Sequence, residues 1–149
     1  MTPLTAEDKL DIHELAARYA RAVDSREAEA WADTFTPDGV FESMRVGTHR
    51  GRDALVKFAT EFWTGPDCAQ WRGGQHWVGN IIIEGSREEA QLFCYHIMFM
   101  PRGPDQVEAV IMAAHDDRLT IHDGRWRFKR RKVLPWPPEG VAASGPAPG

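Results

Sequence analysis

His76 lies in a strand-like segment. In this sequence, His76 and its neighbours are the strongest candidates for residues that carry out chemistry. Residues two apart in a strand lie on one face, so Val78, Asn80 and Ile82 are predicted to share a face with His76. This face combines an imidazole and an amide with apolar side chains, which suits the wall of a cavity with a few polar groups. An imidazole exchanges a proton near neutral pH. The alternative is a structural histidine satisfied by its neighbours, the commoner case for a histidine taken alone.

His96 is a second candidate, because period two places it with Leu92, Cys94 and Met98 on a predicted strand face. That pattern fits a pocket wall and a core histidine equally well. Asn80 also has two interpretations, since it either donates a hydrogen bond to a ligand or holds a neighbouring strand. The histidines show neither H-x-H nor H-E-x-x-H spacing, so the sequence predicts no metal site.

Composition excludes several classes of protein. The chain has 149 residues, enough for one domain core, and 42% of them are hydrophobic and 27% charged. The net charge of −4 gives no general reason to bind nucleic acid, and the basic run at 129–132 alternates between strand faces. No segment approaches the ~18 apolar residues of a membrane span. Two cysteines without a secretion signal predict a cytoplasmic protein.

Aromatic residues are numerous, with six Trp and seven Phe against two Tyr. Such rings fill a core efficiently, and they also suit a deep pocket for a flat apolar ligand. Both interpretations stay open at the level of composition.

Capping and periodicity predict the helix that comes first. Thr5 is predicted as its N-cap, with Asp8 in the N3 position of a capping box. Apolar residues then recur at helical spacing through Val23. Tyr19 falls on the buried face of this helix, and Asp24 falls near its end.

The remaining pattern predicts an α+β protein, in which helices come first and an antiparallel meander follows. A curved sheet wrapped against the helices is the simplest way to bury both. A turn is predicted over 37–39 and a loop over 47–51. The predicted elements after the first helix are a helix over 26–35, a strand over 40–45, a helix over 52–63, and strands over 75–84, 89–101, 106–121 and 125–136. A single domain over 1–139 is followed by a flexible tail over 140–149, rich in Pro, Gly and Ala.

Five segments, in order and with matching spacing, resemble the SnoaL-like branch of the nuclear-transport-factor-2 (NTF2) superfamily. They are ELAARYARAVD (14–24), WADTFTPDGVFE (31–42), GRDAL (51–55), HWVGN (76–80) and DRLTIHDGRWRF (117–128). Enzymes of this branch include scytalone dehydratase, bile-acid 7α-dehydratase and hexachlorocyclohexane dehydrochlorinase. The resemblance implies a cone-shaped α+β barrel, in which a curved antiparallel sheet wraps around the first helix and leaves a deep pocket.

The resemblance also implies roles for individual residues. In the lyases of this family an Asp at the end of the first helix orients a His on the sheet that acts as the base, and here these are Asp24 and His76. Tyr19 falls on a position that contributes to the pocket. An Arg on the last strand lines the pocket in several members, and that position is assigned to Arg131. Tyr19 and Arg131 are predicted to act with the base by polarising the substrate. His115 stands where the family often has Tyr, so its role is open.

The function implied by the resemblance is a lyase that needs no cofactor and acts on an apolar cyclic or aromatic small molecule. The reaction is a dehydration or a retro-aldol loss of formaldehyde. One alternative is a polyketide cyclase or an isomerase, and another is a non-catalytic binding or assembly subunit, like the small subunit of a ring-hydroxylating dioxygenase. Asn80, His96, His115 and Trp136 are predicted to contact the substrate.

The resemblance further implies a homo-oligomer, a dimer or a trimer. Charge and composition predict neither nucleic acid nor a membrane as a partner. Trp77, Ile81 and Ile83 are predicted to form the packing face, because period two places them opposite His76 on the same strand. Trp136 is predicted to cover the mouth of the pocket.

Overall fold

A computed structural model of the protein describes residues 1–137, so the predicted tail at 140–149 and the domain boundary at 139 lie outside the described residues. Helices come first and most strands follow, as the sequence predicts. The elements in chain order are α1 (Ala6–Ser25), α2 (Ala28–Ala32), β1 (Phe35–Ser43), β2 (Gly47–Arg50), α3 (Arg52–Thr64), a 3₁₀ helix (Pro66–Trp71), β3 (Gln75–Gly85), β4 (Ala90–Gly103), β5 (Gln106–His122) and β6 (Arg125–Pro135).

Helix α1 begins where the sequence predicts it. The Thr5 hydroxyl accepts a hydrogen bond from the backbone N–H of Asp8, and the Asp8 carboxylate accepts one from the backbone N–H of Thr5, so the capping box is confirmed. The helix ends at Ser25, and its C-cap, Arg26, has a left-handed backbone with φ 58°. Asp24 is therefore held in the last turn of a rigid element.

Three boundaries in the first third of the chain differ from the prediction. Helix α2 ends at Ala32, and β1 begins at Phe35, directly after the Thr34 carbonyl, which accepts a hydrogen bond from the Phe128 N–H at 2.9 Å. The predicted turn over 37–39 lies inside β1, as an irregularity in its pairing with β6. Most of the predicted loop over 47–51 is strand β2, which pairs with β1 as a hairpin.

The six strands form one sheet in the order β2-β1-β6-β5-β4-β3. Four neighbouring pairs are antiparallel, but β1 and β6 run parallel, so the expectation of a wholly antiparallel sheet is wrong for this pair. These two strands are far apart in the sequence, and no hairpin constrains their direction. The sheet is curved and unclosed, with β2 and β3 at its edges, and the predicted α+β class is confirmed.

A β-bulge in β3 changes which residues face inward. The pairing of β3 with β4 shifts between Gly79 and Ile82, and Asn80 has a left-handed backbone with φ 52°. Beyond this point Asn80 and Ile82 are exposed, whereas Ile83 is buried and Ile81 packs against the core. The predicted face shared by His76 and Asn80 is therefore wrong, and so is the outward position predicted for Ile81 and Ile83.

An aromatic cluster fills the core between α1, the short helices and the sheet. Trp31 is almost fully buried, and its ring meets those of Phe35, Phe41 and Trp63 nearly edge-on, with centroids 5.2 to 5.8 Å apart. The cluster holds α2 and α3 against β1. Among residues 1–137, no helix is long and apolar enough to cross a membrane.

Candidate active site

A cavity of about 590 Å³ opens between the helices and the inner face of the sheet. This volume is within the range of small-molecule sites. The cavity wall is mainly apolar and includes the side chains of Tyr19, Val23, Phe58, Phe62, Trp63, Trp71, Val78, Met98 and Val133. The aromatic residues are therefore divided between the core and the cavity wall.

Asp24 and His76 meet at the wall of this cavity, where the end of α1 packs against the start of β3. Asp24 Oδ1 lies 2.6 Å from His76 Nδ1, and the two carboxylate oxygens also accept the backbone N–H of His76 at 3.0 and 3.1 Å. About a fifth of each side chain is exposed. A carboxylate only accepts, so the imidazole proton lies on Nδ1 and Nε2 keeps a free lone pair.

Behind this pair, a line of hydrogen bonds crosses the inner face of the sheet. Arg131 Nε on β6 donates to His115 Nδ1 on β5 at 2.9 Å, and His115 Nε2 lies 3.1 Å from His96 Nδ1 on β4. The His96 ring is tilted against that of His76, with centroids 4.9 Å apart. Both His96 and His115 are buried residues that border the cavity.

Burial shifts the pKa values of several of these groups. It lowers the pKa of His96 to about 3 and that of His115 well below its ordinary value, and the nearby positive charge of Arg131 acts in the same direction. Burial also raises the pKa of the Tyr19 phenol and raises that of Asp117 to about 7. Both imidazoles in the interior are therefore neutral near pH 7.

Arg131 does not reach the cavity surface, so the expectation that it lines the pocket is wrong. Its side chain is fully buried, with the guanidinium carbon 3.9 Å from the centre of the Tyr19 ring and 4.5 Å from that of Phe128. Its Nη2 lies 3.5 Å from Oδ2 of Asp117, which is also fully buried. The rings and the register of β5 with β6, which pairs Asp117 with Arg131, hold the guanidinium beneath the site.

The other predicted contact residues are not all at the cavity. Asn80 is exposed and does not border it, because the bulge turns the side chain outward. Trp136 is at the rim, and its ring packs against Tyr95 with centroids 4.7 Å apart. His96, His115 and Trp136 thus border the cavity, whereas Asn80 does not.

Sequence reasoning missed Asp117 as part of this arrangement. Period two along β5 places Asp117 on the same face as His115, and that pattern could have indicated a buried carboxylate. Among residues 1–137, no group of three or more His, Cys, Asp or Glu side chains could hold a metal ion.

One known family matches most of the chain. The family model of the SnoaL-like domain matches residues 4–132. The protein belongs to the SnoaL-like family. This family includes polyketide cyclases and dehydratases. An uncharacterized protein of Mycobacterium tuberculosis is 26% identical over 126 residues, which cover 83% of this chain and 82% of the relative.

Solved structures share the fold. A protein of unknown function from Nostoc punctiforme, with a cystatin-like fold, superimposes with a TM-score of 0.76 at 27% identity and covers 89% of this chain and 93% of its own. A candidate scytalone dehydratase from Novosphingobium aromaticivorans gives a TM-score of 0.70 at 23% identity, covering 85% and 83%. This SnoaL-like protein therefore has the NTF2-like fold that its sequence predicts.

Proposed function

We propose that this protein is a cofactor-independent lyase for an apolar cyclic or aromatic small molecule, with His76 as its base. The observation that carries the proposal is the 2.6 Å contact between Asp24 Oδ1 and His76 Nδ1 at the wall of the apolar cavity. Membership of the SnoaL-like family supports it. The reaction is an elimination, by dehydration or by retro-aldol loss of formaldehyde.

The geometry suits proton removal from carbon. His76 Nε2 carries a lone pair and receives the proton, while Asp24 holds the ring in this tautomer and stabilises the imidazolium that forms. Tyr19 borders the same cavity, and because burial raises its pKa the phenol keeps its proton and can donate to a substrate oxygen. These groups supply a base and a donor to the same cavity.

Polyketide cyclisation or isomerisation is a second candidate function. It requires the same base and the same cavity, and the family includes polyketide cyclases. A non-catalytic binding or assembly subunit is the third candidate. Such a module has no need for a carboxylate bonded to an imidazole at a cavity wall, so the Asp24–His76 contact favours an enzyme.

A ligand screen with product analysis tests the proposal. Steroids, polyketides and lignin-derived aromatics are screened by the shift in melting temperature, and each ligand is then incubated with the enzyme. Loss of one water in the product mass identifies a dehydratase, and loss of one formaldehyde identifies a retro-aldol lyase. An unchanged mass with a rearranged product identifies a cyclase or isomerase instead.

The His76→Ala variant is the critical comparison in that screen. We expect turnover to fall by about 10²-fold or more, since a positioned general base contributes that much. His122→Ala is the matched control, because His122 lies at the end of β5, outside the cavity wall. Full turnover by the folded His76→Ala variant would rule out the proposed base.

A homo-oligomer is also proposed, with a second copy of this chain on the outer face of the sheet. After the bulge is taken into account, the exposed apolar side chains on this face are Trp77, Ile82 and Met112. Large exposed apolar residues on one face are typical of interfaces. Light scattering is expected to give a multiple of the chain mass that drops for Trp77→Glu, and a wild-type monomer would remove the proposal.

A further inference from the structure

The guanidinium of Arg131 fixes where two histidines carry their protons. Its Nε–H can only donate, so His115 Nδ1, at 2.9 Å, is an acceptor without a proton. His115 therefore carries its proton on Nε2 and donates it to His96 Nδ1 at 3.1 Å. His96 Nδ1 is then an acceptor too, and the proton of His96 lies on Nε2.

This last N–H has no acceptor. His96 Nε2 is buried and has no hydrogen-bond partner among the described residues. His96 Nδ1 faces His115 on β5, while the His96 ring borders the cavity with its centroid 4.9 Å from that of His76. A buried donor without a partner is unfavourable, so the site favours a ligand that brings an acceptor to this point.

From this arrangement we propose that the substrate is an enolisable carbonyl compound whose oxygen accepts a hydrogen bond from His96 Nε2–H. The inference rests on the proposed function of His76 and adds the substrate class. His76 Nε2 takes the proton from the carbon next to the carbonyl, and the C–H electron pair forms the new C=C bond. The carbonyl π pair moves to oxygen, where the negative charge faces His96. No proton leaves His96.

The chemistry of the proposed reactions agrees with this substrate class. Dehydration of a β-hydroxy ketone, retro-aldol cleavage, aldol cyclisation and double-bond isomerisation all pass through an enolate, which needs a donor at oxygen. A neutral imidazole can polarise a carbonyl in this way. The pKa of His96, lowered to about 3 by burial, keeps the ring neutral beside Arg131 and His76.

Arg131 and His115 act through His96 in this arrangement and are positioning residues. Arg131 sets the tautomer of His115, and His115 sets that of His96. Asp117, 3.5 Å from Arg131, balances the buried positive charge. This chain of hydrogen bonds thus makes Nδ1 of His96 an acceptor and Nε2 of His96 the donor.

Nitrogen-15 NMR of the ligand-free protein tests the tautomers. We expect His115 and His96 to be neutral with the proton on Nε2 at pH 7. In His115→Phe, which removes the donor to His96 Nδ1, we expect His96 to become a mixture of tautomers, whereas a merely structural His115 would leave the His96 tautomer unchanged. A wild-type His96 with its proton on Nδ1 would overturn the inference.

Binding of 1-tetralone labelled with carbon-13 at the carbonyl tests the donor. In the wild type we expect the carbonyl resonance to move downfield. His96→Leu is expected to abolish this shift and to weaken binding about tenfold. His96→Gln keeps an N–H and is expected to retain part of the carbonyl shift and part of the affinity. An unshifted carbonyl in bound wild-type complex would overturn the inference.

The same probe separates this inference from the proposed function. Exchange of the tetralone α-protons for solvent deuterium reports on His76, and the carbonyl shift reports on His96. Exchange without a carbonyl shift would overturn the inference alone. A carbonyl shift without exchange would overturn the proposed base and leave His96 as the donor.

Discussion

At the scale of single residues, two buried neutral imidazoles link the site to the stability of the fold. Burial lowers the pKa of His96 to about 3, and that of His115 falls well below its ordinary value. In the unfolded chain both rings take up a proton near pH ~6.5. Acid therefore adds protons to the unfolded chain that the folded protein does not bind, and the free energy of unfolding falls.

The first prediction follows from that linkage. Between pH 7 and 5, His96 alone is expected to lower the free energy of unfolding by about 2 kcal/mol. Asp117 acts in the opposite direction, because its raised folded pKa of about 7 makes its contribution fade as the pH rises. Urea titrations at both pH values are expected to show a smaller loss for His96→Gln than for the wild type.

The residues around position 96 are the same in the wild type and in His96→Gln, so the comparison isolates the effect of the His96 ring. These are His76 on β3, His115 on β5 and Arg131 on β6. An equal loss of stability in the variant and the wild type would show that His96 is protonated in the folded protein, against this account.

At the scale of elements, the last four strands could be predicted within two residues because Gly, Pro and Asp residues mark their ends. The bulge in β3 was not predicted. Strict period two assumes an unbroken ladder, and the left-handed backbone at Asn80 breaks it. Asn is one of the few residues that adopts this conformation readily, so the signal was present but weak.

A second prediction concerns that bulge. Asn80→Ala is expected to lower the free energy of unfolding by about 1 kcal/mol, because Ala tolerates a φ of 52° poorly, whereas Asn80→Gly stays within a few tenths. Both variants are expected to bind 1-tetralone like the wild type, as measured by titration. Loss of binding in Asn80→Gly would instead restore Asn80 as a substrate residue.

Strand β5 supplies a third prediction with an internal control. At pH 8, above the Asp117 pKa of about 7, Asp117→Ala leaves the buried Arg131 charge uncompensated, and we expect a loss of about 3–5 kcal/mol in unfolding free energy. Asp116 is on the opposite, half-exposed face and bonds to Arg118 and Gln91. Asp116→Ala is expected to cost about 1 kcal/mol or less. Equal losses in urea unfolding would contradict the buried pair.

The site could be predicted only in part. The family resemblance named Asp24 and His76, and the structure brings these two side chains together. The bond from Arg131 to His115 was not predicted, because it depends on the register of two strands, and that register shifts between Arg118 and Leu119. A side-chain contact that depends on strand register and on a bulge leaves no local sequence pattern from which it could be predicted.

At the scale of the whole molecule, the helices cover one face of the sheet incompletely and leave the cavity where α1 meets β3. Asp24 comes from the end of a capped helix and His76 from the start of the edge strand β3, and the Asp24 carboxylate joins the two elements by accepting the His76 backbone N–H. The same face carries His96, whose ring centroid lies 4.9 Å from that of His76. The architecture thus places a carboxylate and two imidazoles at one largely apolar cavity.

Solvent deuterium exchange into 1-tetralone tests the central claim, that Asp24 and His76 form a base, most directly. With the uncatalysed rate subtracted, the wild type and His122→Ala are predicted to exchange the α-protons at equal rates. His76→Ala and Asp24→Asn are predicted to be slower by about 10²-fold or more, with unchanged circular dichroism. Exchange by His76→Ala at the wild-type rate would contradict the account.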